Sequence, residues 1–442
     1  MKRSPIKVVK FGGSSLADAE QFKKVRDIVL ADPERRYVVP SAPGKRFDGD
    51  KKVTDMLIAC HGLSVSGGDW EPLFSEIRSR YESIVSGLSL SLDLSAEFAE
   101  IGRNIREGTT RDYVASRGEY LNGIIAAALL NYDFIDAAEL IRFNDDRTFN
   151  AEETNSMAAL VLSQHRCAVI PGFYGSAPDG SIVTFSRGGS DITGAIIARA
   201  CVADMYENWT DVSGFLKADP RIVTSPKNIK YITYHELREL SYMGATVLHE
   251  DSIFPVKLAG IPINIRNTNR PQDEGTLIVA SSLCSERDGE IVTGIAGRKG
   301  FSAINIEKDM MNQEIGFGVR VLNVLADRGI SFEHLPSGID TMSVMVATPK
   351  IEGHEDEIMS DLMHAVNPDS IEIEHGLALI AVVGRSMIKQ PGTAARVFTA
   401  LAAAGINIRM IDQGSSELNI IIGVSDDDFN KAIRAVYDEF IS

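Results

Sequence analysis

The hydrophobic pattern at the start of the chain predicts a strand, a loop and a helix. IKVVKF is an apolar run rich in β-branched residues, which is typical of a buried strand. In ADAEQFKKVRDIVLA, Phe22, Val25 and Val29 recur at helical spacing. Ser15 followed three positions later by Asp18 resembles a capping box. RYVVPSAPG then predicts a second strand, and this β-loop-α-β order indicates a mostly parallel sheet with helices on its faces.

The pattern continues as an α/β alternation with a second glycine-rich loop. GKRFDGDKKVTD mixes both charge signs with glycine and predicts an exposed, mobile loop. A long helical region including RDYVASRGEYLNGIIAAALL follows, and CAVIPGFYG and SIVTF then predict strands. SRGGSDITGAIIARA repeats the order of glycine loop and helix. The alternation ends at GTLIVA, and the polar SSLCSERDGE is interpreted as a linker.

The tail contains an internal repeat. RVLNVLADRGISF from Arg320 matches RVFTALAAAGINI from Arg396, and the same offset places SVMV at Ser343 on NIII at Asn419. Each copy is predicted to run strand, glycine loop, helix, Gly-Ile turn, strand, strand. Each small sheet needs a partner to cover its faces, so the two copies are expected to form one paired domain.

Composition narrows the class of protein. The 442 residues, 44% of them hydrophobic, predict two or three globular domains. A net charge of -16 without a basic run argues against a nucleic-acid partner. The absence of a signal peptide or a long apolar run predicts a cytoplasmic protein without a membrane partner. The four scattered cysteines fit reduced thiols, and the eight histidines show no metal-ligand spacing, so no protein metal site is assigned.

The two glycine loops predict anion binding. Lys10 ends a buried strand, Gly12 and Gly13 let a ligand approach the backbone, and a helix N-terminus follows, which together make an anion cradle. The lysine precedes the glycines, unlike in a Walker A loop. A plain strand-helix turn is the alternative for one such loop. Two loops at one sheet edge fit a phosphate donor and an anionic acceptor better.

Five motifs carry a family resemblance. VVKFGGSS, RGEYLNG, SRGGSDIT, WTDVSGFLKADPRIV and GATVLHE, followed by a doubled tail module, resemble the aspartokinases of the amino acid kinase family. The resemblance implies an α/β kinase domain at residues 1–283 with a mostly parallel sheet. It also implies a pair of ferredoxin-like βαββαβ ACT domains at 284–442, with repeat units at about 300–366 and 376–442. The implied reaction transfers the γ-phosphoryl group of ATP to the side-chain carboxylate of L-aspartate.

The resemblance also assigns roles to single residues. It implies that Lys10 offsets charge on the moving phosphoryl group and that Asp191 organises the reaction centre. Glu119 is implied to receive the substrate amino group. The remaining substrate-side positions implied by the motifs are Ser41, Thr54, Phe173, Arg187, Gly188, Gly189 and Ser190. The planar fork of Arg187 suits a carboxylate.

The nucleotide side shows two departures from the family pattern. The resemblance implies nucleotide contacts from Lys10, Gly12, Gly13, Ser14, Thr210, Asp211, Leu216, Arg221 and Thr246. Leu216 stands where a tyrosine is common, which leaves an aliphatic group against the purine. Thr246 stands where a lysine is frequent, which removes one cation. Lys217 is either a compensating cation or a solvated loop lysine. ATP and Mg²⁺ are the implied co-substrate and ion.

The tail resembles an amino-acid sensor. Its effector turns place candidate contacts at Met311, Phe317, Ser331 and Glu333, with lysine, threonine or both as the effector. A purely dimerising module is the alternative, and in either case a homodimer or larger homo-oligomer is expected through the tail. For the chain as a whole, the rivals are a kinase acting on a glutamate-type substrate and a non-catalytic amino-acid sensor.

Overall fold

The computed structural model describes residues 4–186, 188–245, 253–281 and 290–441. These residues divide into two compact units. The first comprises 4–215, 228–234 and 253–281, and the second comprises 216–227, 235–245 and 290–441. Two short segments of the predicted kinase region therefore belong to the second unit. The predicted linker falls largely on residues 282–289, which lie outside the described part of the chain.

The described chain before residue 282 consists of strands interspersed with helices, and it includes the long helical region that the pattern predicts. The strands are β1 (Lys7–Phe11), β2 (Arg35–Pro40), β3 (Asp133–Phe134), β4 (Ala168–Val169), β5 (Tyr174–Ser176), β6 (Ile182–Thr184), β7 (Met205–Thr210), β8 (Tyr231–Thr233), β9 (Ile263–Asn267) and β10 (Thr276–Val279). The helices are α1 (Ala19–Leu30), α2 (Val53–Val65), α3 (Glu71–Gly87), α4 (Ser95–Arg106), α5 (Arg111–Leu130), α6 (Ala137–Leu140), α7 (Ala151–Leu162), α8 (Gly189–Ala200), α9 (Tyr234–Tyr242) and α10 (Phe254–Ala259).

Within the described residues, the first unit is built on an eight-stranded sheet of order β3-β4-β2-β1-β7-β9-β10-β8. Every neighbouring pair is parallel except β9 and β10. On one face, Val9, Phe11 and Trp209 join the apolar core formed with α1 to α5. The other face of β7 lies against α8, whose Asp191 accepts hydrogen bonds from Tyr206 and Asn208. This sheet places the ends of β1 and β7 side by side.

The second unit is built around a five-stranded antiparallel sheet of order β12-β11-β13-β15-β14, counted over the described residues. Its strands are β11 (Gly294–Glu307), β12 (Thr341–Ala347), β13 (Ser370–Val383), β14 (Met410–Asp412) and β15 (Asn419–Ser425). Its helices are α11 (Phe317–Asp327), α12 (Glu355–Val366), α13 (Thr393–Ala403) and α14 (Phe429–Phe440). The two long strands β11 and β13, one from each sequence repeat, pair at the centre. The two sequence repeats therefore contribute strands to a single sheet.

The start of α1 differs from the expected capping box. Asp18 is itself the N-cap, because its carboxylate accepts a hydrogen bond from the Gln21 N–H. Ser15 lies in a preceding 3₁₀ turn, and its Oγ is 2.7 Å from Thr268 Oγ1. The capping-box prediction was wrong because the serine finds a hydroxyl partner distant in sequence, which local spacing does not reveal. Among the described residues, no helix is long and apolar enough to cross a membrane.

Candidate active site

A buried ion pair joins the two glycine loops. Lys10 lies near the end of β1, and Asp191 lies in the first turn of α8. The Lys10 Nζ is 2.7 Å from Asp191 Oδ1, and the two side chains are 9% and 19% exposed. The lysine therefore carries its charge at the sheet edge in a fixed place. Both residues are predicted catalytic residues, and the fold brings them into direct contact.

In the first glycine loop, Gly13 is packed closely against neighbouring backbone. A Cβ added to Gly13 would lie 2.9 Å from the Ala42 carbonyl oxygen and 3.1 Å from the Gly44 backbone. The Gly44 N–H in turn donates to the Gly13 carbonyl, at 2.8 Å. Gly12 has more room, since its added Cβ would lie 3.7 Å from Lys10 Nζ. The lysine ammonium therefore lies directly beside the Gly12 backbone.

The second glycine loop uses its glycines for a tight turn and close packing. Gly188 has φ +56° at the start of α8, in the left-handed region that favours glycine. A Cβ on Gly189 would lie 2.4 Å from the Phe173 ring, and one on Gly172 would lie 2.5 Å from Ser190 Oγ. Phe173 itself has φ +84°, which is rare for a non-glycine residue. Arg187 lies outside the described residues.

One cavity collects predicted residues from both sides of the reaction. Its volume is about 600 Å³, and it lies within the first unit. The predicted positions that line it are Gly12, Gly13, Ser14, Ser41, Thr54, Glu119, Thr210 and Asp211. The first three and the last two were assigned to nucleotide, and the middle three to the amino-acid substrate. The fold thus brings the residues predicted to bind the phosphoryl donor and those predicted to bind the acceptor to one cavity.

Glu119 is the buried acid of this cavity. It lies on α5 and is 6% exposed, and among the described residues its Oε2 has no hydrogen-bond partner. Burial raises its pKa to about 8, against an opposing backbone hydrogen bond from Ala42 and the charge of Arg117. A buried carboxyl group with one unsatisfied oxygen gains strongly from a cationic partner. It is therefore suited to receive an ammonium group.

The loop predicted to be exposed and mobile also lines the cavity. Gly44, Lys45, Arg46, Phe47, Asp48 and Lys52 belong to its lining. The Arg46 side chain donates to both Asp50 carboxylate oxygens, at 2.8 and 2.9 Å, and Asp50 lies 3.6 Å from the buried Arg80 of α3. These arginines hold the pKa of Asp50 well below its usual range. The loop is exposed as expected, and ion pairs hold it in place. It also contributes the basic side chains that line the cavity, a role that was not predicted from the sequence.

Leu216 and Arg221, also predicted to contact the nucleotide, are not among the residues that line the cavity. Leu216 and Arg221 belong to the second unit, where exposed Arg221 pairs with Asp219 at 2.6 Å. Thr246 lies outside the described residues. Lys217 is 4% exposed and pairs with Glu290 at 2.6 Å within the second unit. It is therefore a buried, paired lysine and neither the solvated loop lysine nor a free compensating cation.

The predicted regulatory residues divide into two kinds. The side chains of Met311 and Phe317 are buried in the apolar core of the second unit. Ser331 is more exposed and its hydroxyl accepts a hydrogen bond from Lys350. Glu333 accepts a hydrogen bond from the Tyr242 hydroxyl. Ser331 and Glu333 are therefore candidates for polar side-chain contacts with an effector. Met311 and Phe317 instead pack in the core beneath these turns.

The geometry agrees with sequence comparison to known families. A model of the amino acid kinase family matches residues 5–267, and an ACT domain model matches residues 380–440. The chain therefore belongs to the amino acid kinase family. The resemblance to that family and the predicted fold class, a mostly parallel α/β kinase fold followed by an ACT region, are both confirmed.

Within the family the similar proteins are aspartokinases. Aspartokinase 3 of Bacillus subtilis is 40% identical, with 99% of each chain covered. The crystal structure of the Clostridium acetobutylicum aspartate kinase, described as an allosteric enzyme, is 50% identical with a TM-score of 0.92, covering 99% of this chain and 100% of that one. Escherichia coli aspartokinase III in complex with aspartate and ADP is 26% identical with a TM-score of 0.72, covering 99% and 100%.

Proposed function

We propose that this protein is an aspartokinase that transfers the γ-phosphoryl group of ATP to the side-chain carboxylate of L-aspartate, giving 4-phospho-L-aspartate and ADP. The observation that carries the proposal is that one and the same cavity is lined by Gly12, Gly13 and Ser14 on the donor side and by Glu119 on the acceptor side. The Lys10 and Asp191 pair lies beside Gly12. A glutamate kinase would need the same phosphate chemistry, so the acceptor is the feature to test.

The reaction needs no general base. A free aspartate carboxylate, with a pKa of about 3.9, is ionised near neutral pH. One of its oxygens attacks the γ-phosphorus, and the bond from that phosphorus to the β-γ bridging oxygen breaks, so that ADP leaves with the electron pair. Lys10 neutralises charge on the transferring oxygens, and the N-terminus of α8 adds its positive dipole. Glu119 binds the ammonium group of the aspartate substrate and thereby orients its side-chain carboxylate.

Mg²⁺ would enter with the nucleotide. In the described residues there is no cluster of three acidic, histidine or cysteine side chains of the kind that holds a metal alone. Magnesium in phosphoryl-transfer sites is usually held by one or two carboxylates together with substrate phosphates. The exposed Asp211 carboxylate in the cavity wall fits that donor set. When bound, the ion neutralises phosphate charge during transfer.

The second unit is proposed to be regulatory, so that the chain combines a kinase domain at about 1–283 with an ACT pair at about 284–442. Escherichia coli aspartokinase III was crystallised with lysine and aspartate, as well as with aspartate and ADP. We assign to this chain feedback binding of lysine, threonine or both, with Ser331 and Glu333 as side-chain contacts. A homo-oligomer through the second unit is part of the same proposal.

An ADP-release assay with ATP, Mg²⁺ and L-aspartate tests the activity. Turnover should require aspartate, and hydroxylamine should trap an acyl hydroxamate. L-glutamate is the matched substrate control, because it has the same charged groups and one additional methylene. Equal or better turnover with glutamate would identify the rival kinase. The absence of turnover with both substrates would favour the non-catalytic sensor.

The regulatory assignment is tested in the same assay. Lysine and threonine, alone and together, are added at fixed aspartate concentration, with alanine as the control amino acid. Inhibition by lysine or threonine and relief of it by Glu333→Gln would support the proposed effector turn. Inhibition that is unchanged in Glu333→Gln and in Ser331→Ala would exclude these side chains as effector contacts.

A further inference from the structure

We infer that Asn208 is the positioning residue of the catalytic carboxylate, an inference that rests on the proposed phosphoryl transfer. The Asn208 Nδ2 donates to Asp191 Oδ1 at 2.7 Å. The same oxygen receives the Lys10 ammonium at 2.7 Å. One carboxylate oxygen therefore joins a fixed amide from β7 with the cation aimed at the phosphate. Neither glycine motif contains this amide.

The sheet register makes this contact rigid. Lys10 and Asn208 are directly paired residues of the parallel strands β1 and β7. Paired residues in neighbouring strands project their side chains to the same face, here toward α8. Lys10 and Asn208 are both buried, so both donors are fixed in the interior. Asn208 thus defines where the Asp191 carboxylate is, and that carboxylate defines where the Lys10 ammonium is.

Strand β7 holds Asp191 at a second point. The Tyr206 hydroxyl, two residues before Asn208 and on the same face, donates to the Asp191 backbone carbonyl at 3.1 Å. The tyrosine is fully buried, and a Cβ on Gly194 of α8 would lie 2.5 Å from its hydroxyl. Tyr206 therefore fixes the helix, whereas Asn208 fixes the carboxylate. The pair provides a matched comparison between backbone support and side-chain positioning.

An amide is the suitable group at this place because it donates without carrying charge. Among the described residues, the titratable groups that contact Asp191 are Lys10 from β1 and, at the Asp191 backbone carbonyl, Tyr206 from β7. A second cation in place of Asn208 would compete with Lys10 for the carboxylate. A second carboxylate would repel Asp191 unless one proton were shared between them. A neutral amide therefore adds no second cation that would compete with Lys10 for the Asp191 carboxylate.

The test compares Asn208→Leu, Asn208→Asp and Tyr206→Phe in the full-length protein. We expect Asn208→Leu to lower kcat about 10- to 100-fold, because a misplaced reacting group costs this much, with the KM for aspartate changed less than about threefold. Asn208→Asp keeps the shape of the side chain, and the protonated carboxyl group of the new aspartate can donate a hydrogen bond to Asp191 as the amide does. Its kcat should therefore fall as pH rises from 6 to 9, along a limb that wild type lacks.

Tyr206→Phe is the control for a merely structural contribution. It should lower the melting temperature while keeping the wild-type pH profile of kcat. A kcat within threefold of wild type in Asn208→Leu, or an unaltered pH profile in Asn208→Asp, would overturn the inference. If the leucine variant does not fold, the pH profile of the aspartate variant decides alone. Inactive wild-type protein would instead contradict the proposed function, so the two failures are distinguishable.

Discussion

The two glycine loops of the first unit are similar in sequence, but their glycines are required for different structural reasons. Both follow a strand, contain two glycines and a serine, and precede a helix. In the first loop, Gly13 is needed because the backbones of Ala42 and Gly44 approach it closely. In the second loop, Gly188 is needed for its positive φ, and Gly189 for the Phe173 ring. A shared motif therefore does not imply a shared reason for each glycine.

The loops also supply opposite charges. Lys10 precedes the first glycine pair, and Asp191 follows the second. The two charges meet at 2.7 Å, so each loop provides half of one ion pair. The donor-side loop contributes the cation that the phosphate needs. The other loop contributes the carboxylate that holds this cation in place, which makes the two halves interdependent.

The largest expected effect comes from breaking that ion pair. Lys10→Ala should lower kcat/KM by about 10³-fold or more, because one preorganised cation stabilises the transferring group by several kcal/mol. Asp191→Asn should also be strongly impaired. Groups that act as a unit are not additive, so the double variant should be less than about tenfold worse than Lys10→Ala. Steady-state kinetics of the three variants measure this coupling.

The control for this cycle is Lys23→Ala on α1, which removes an exposed lysine paired with Glu20. It should retain wild-type kinetics, since an exposed pair contributes little. Circular dichroism and thermal melting should show that all the variants fold. Additive losses in the double variant would show that the lysine and the carboxylate act independently, contrary to the interdependence of the loops.

The second effect concerns Glu119, which belongs to neither loop. Glu119→Gln should raise the KM for aspartate about 30- to 100-fold, because a hydrogen bond to a charged group contributes about 2 to 3 kcal/mol. The pKa of the Glu119 carboxyl group is about 8, so binding of an ammonium group at lower pH must expel a proton. The wild-type KM should therefore fall as pH rises from 6.5 toward 8. Initial rates at varied aspartate and pH measure both effects.

The same carboxyl group makes a separate stability prediction. Its folded pKa lies above its unfolded value, so the folded state binds more protons than the unfolded state between about pH 4.5 and 8. Stability of the substrate-free protein should therefore decrease as pH rises through this range. Glu119→Gln, which does not titrate, should lose this decrease and be more stable than the wild type at pH 8, by up to about 4 kcal/mol. A variant that is less stable than wild type at pH 8 would contradict the buried, unpaired carboxyl group.

Sequence periodicity predicted much of the fold and one half of the site. The strand at Lys7–Phe11, the helix after it and the doubled tail follow from spacing that each segment carries by itself. The conformation of the cavity loop was harder to predict, because Asp50 in the loop contacts Arg80, which lies on α3 about 30 residues further along the chain. No local pattern encodes such a pair.

Asn208 was missed for a related reason. Within MYENWT it is simply a polar residue in a predicted strand, and its role becomes apparent only from its pairing with Lys10 in the sheet. The same strand places Glu207 on the opposite face, where it pairs with Arg35 at 2.9 Å. A polar residue in a central strand is a signal worth following, but sequence alone does not tell which of the two faces is the catalytic one.

The third effect separates two glycines within the first loop. Gly13→Ala should destabilise the protein by about 1 to 3 kcal/mol, because the new Cβ meets backbone atoms that have little freedom to shift. Gly12→Ala meets atoms only at 3.6 Å and beyond, so its loss should be below about 1 kcal/mol. Urea unfolding of the substrate-free variants measures the difference. Equal losses would show that conformational freedom, and not space, selects glycine at both positions.

The smallest expected effect distinguishes the second loop from the first. Gly188 has φ +56°, so Gly188→Ala should cost about 1 to 2 kcal/mol, whereas Gly188→Asn should cost less because asparagine tolerates the left-handed region. Gly13→Asn should be no better than Gly13→Ala, because any Cβ there meets the same backbone. Urea unfolding of these four variants gives the two orders of stability. Equal stability of Gly188→Asn and Gly188→Ala would remove the distinction between a glycine chosen for φ and one chosen for space.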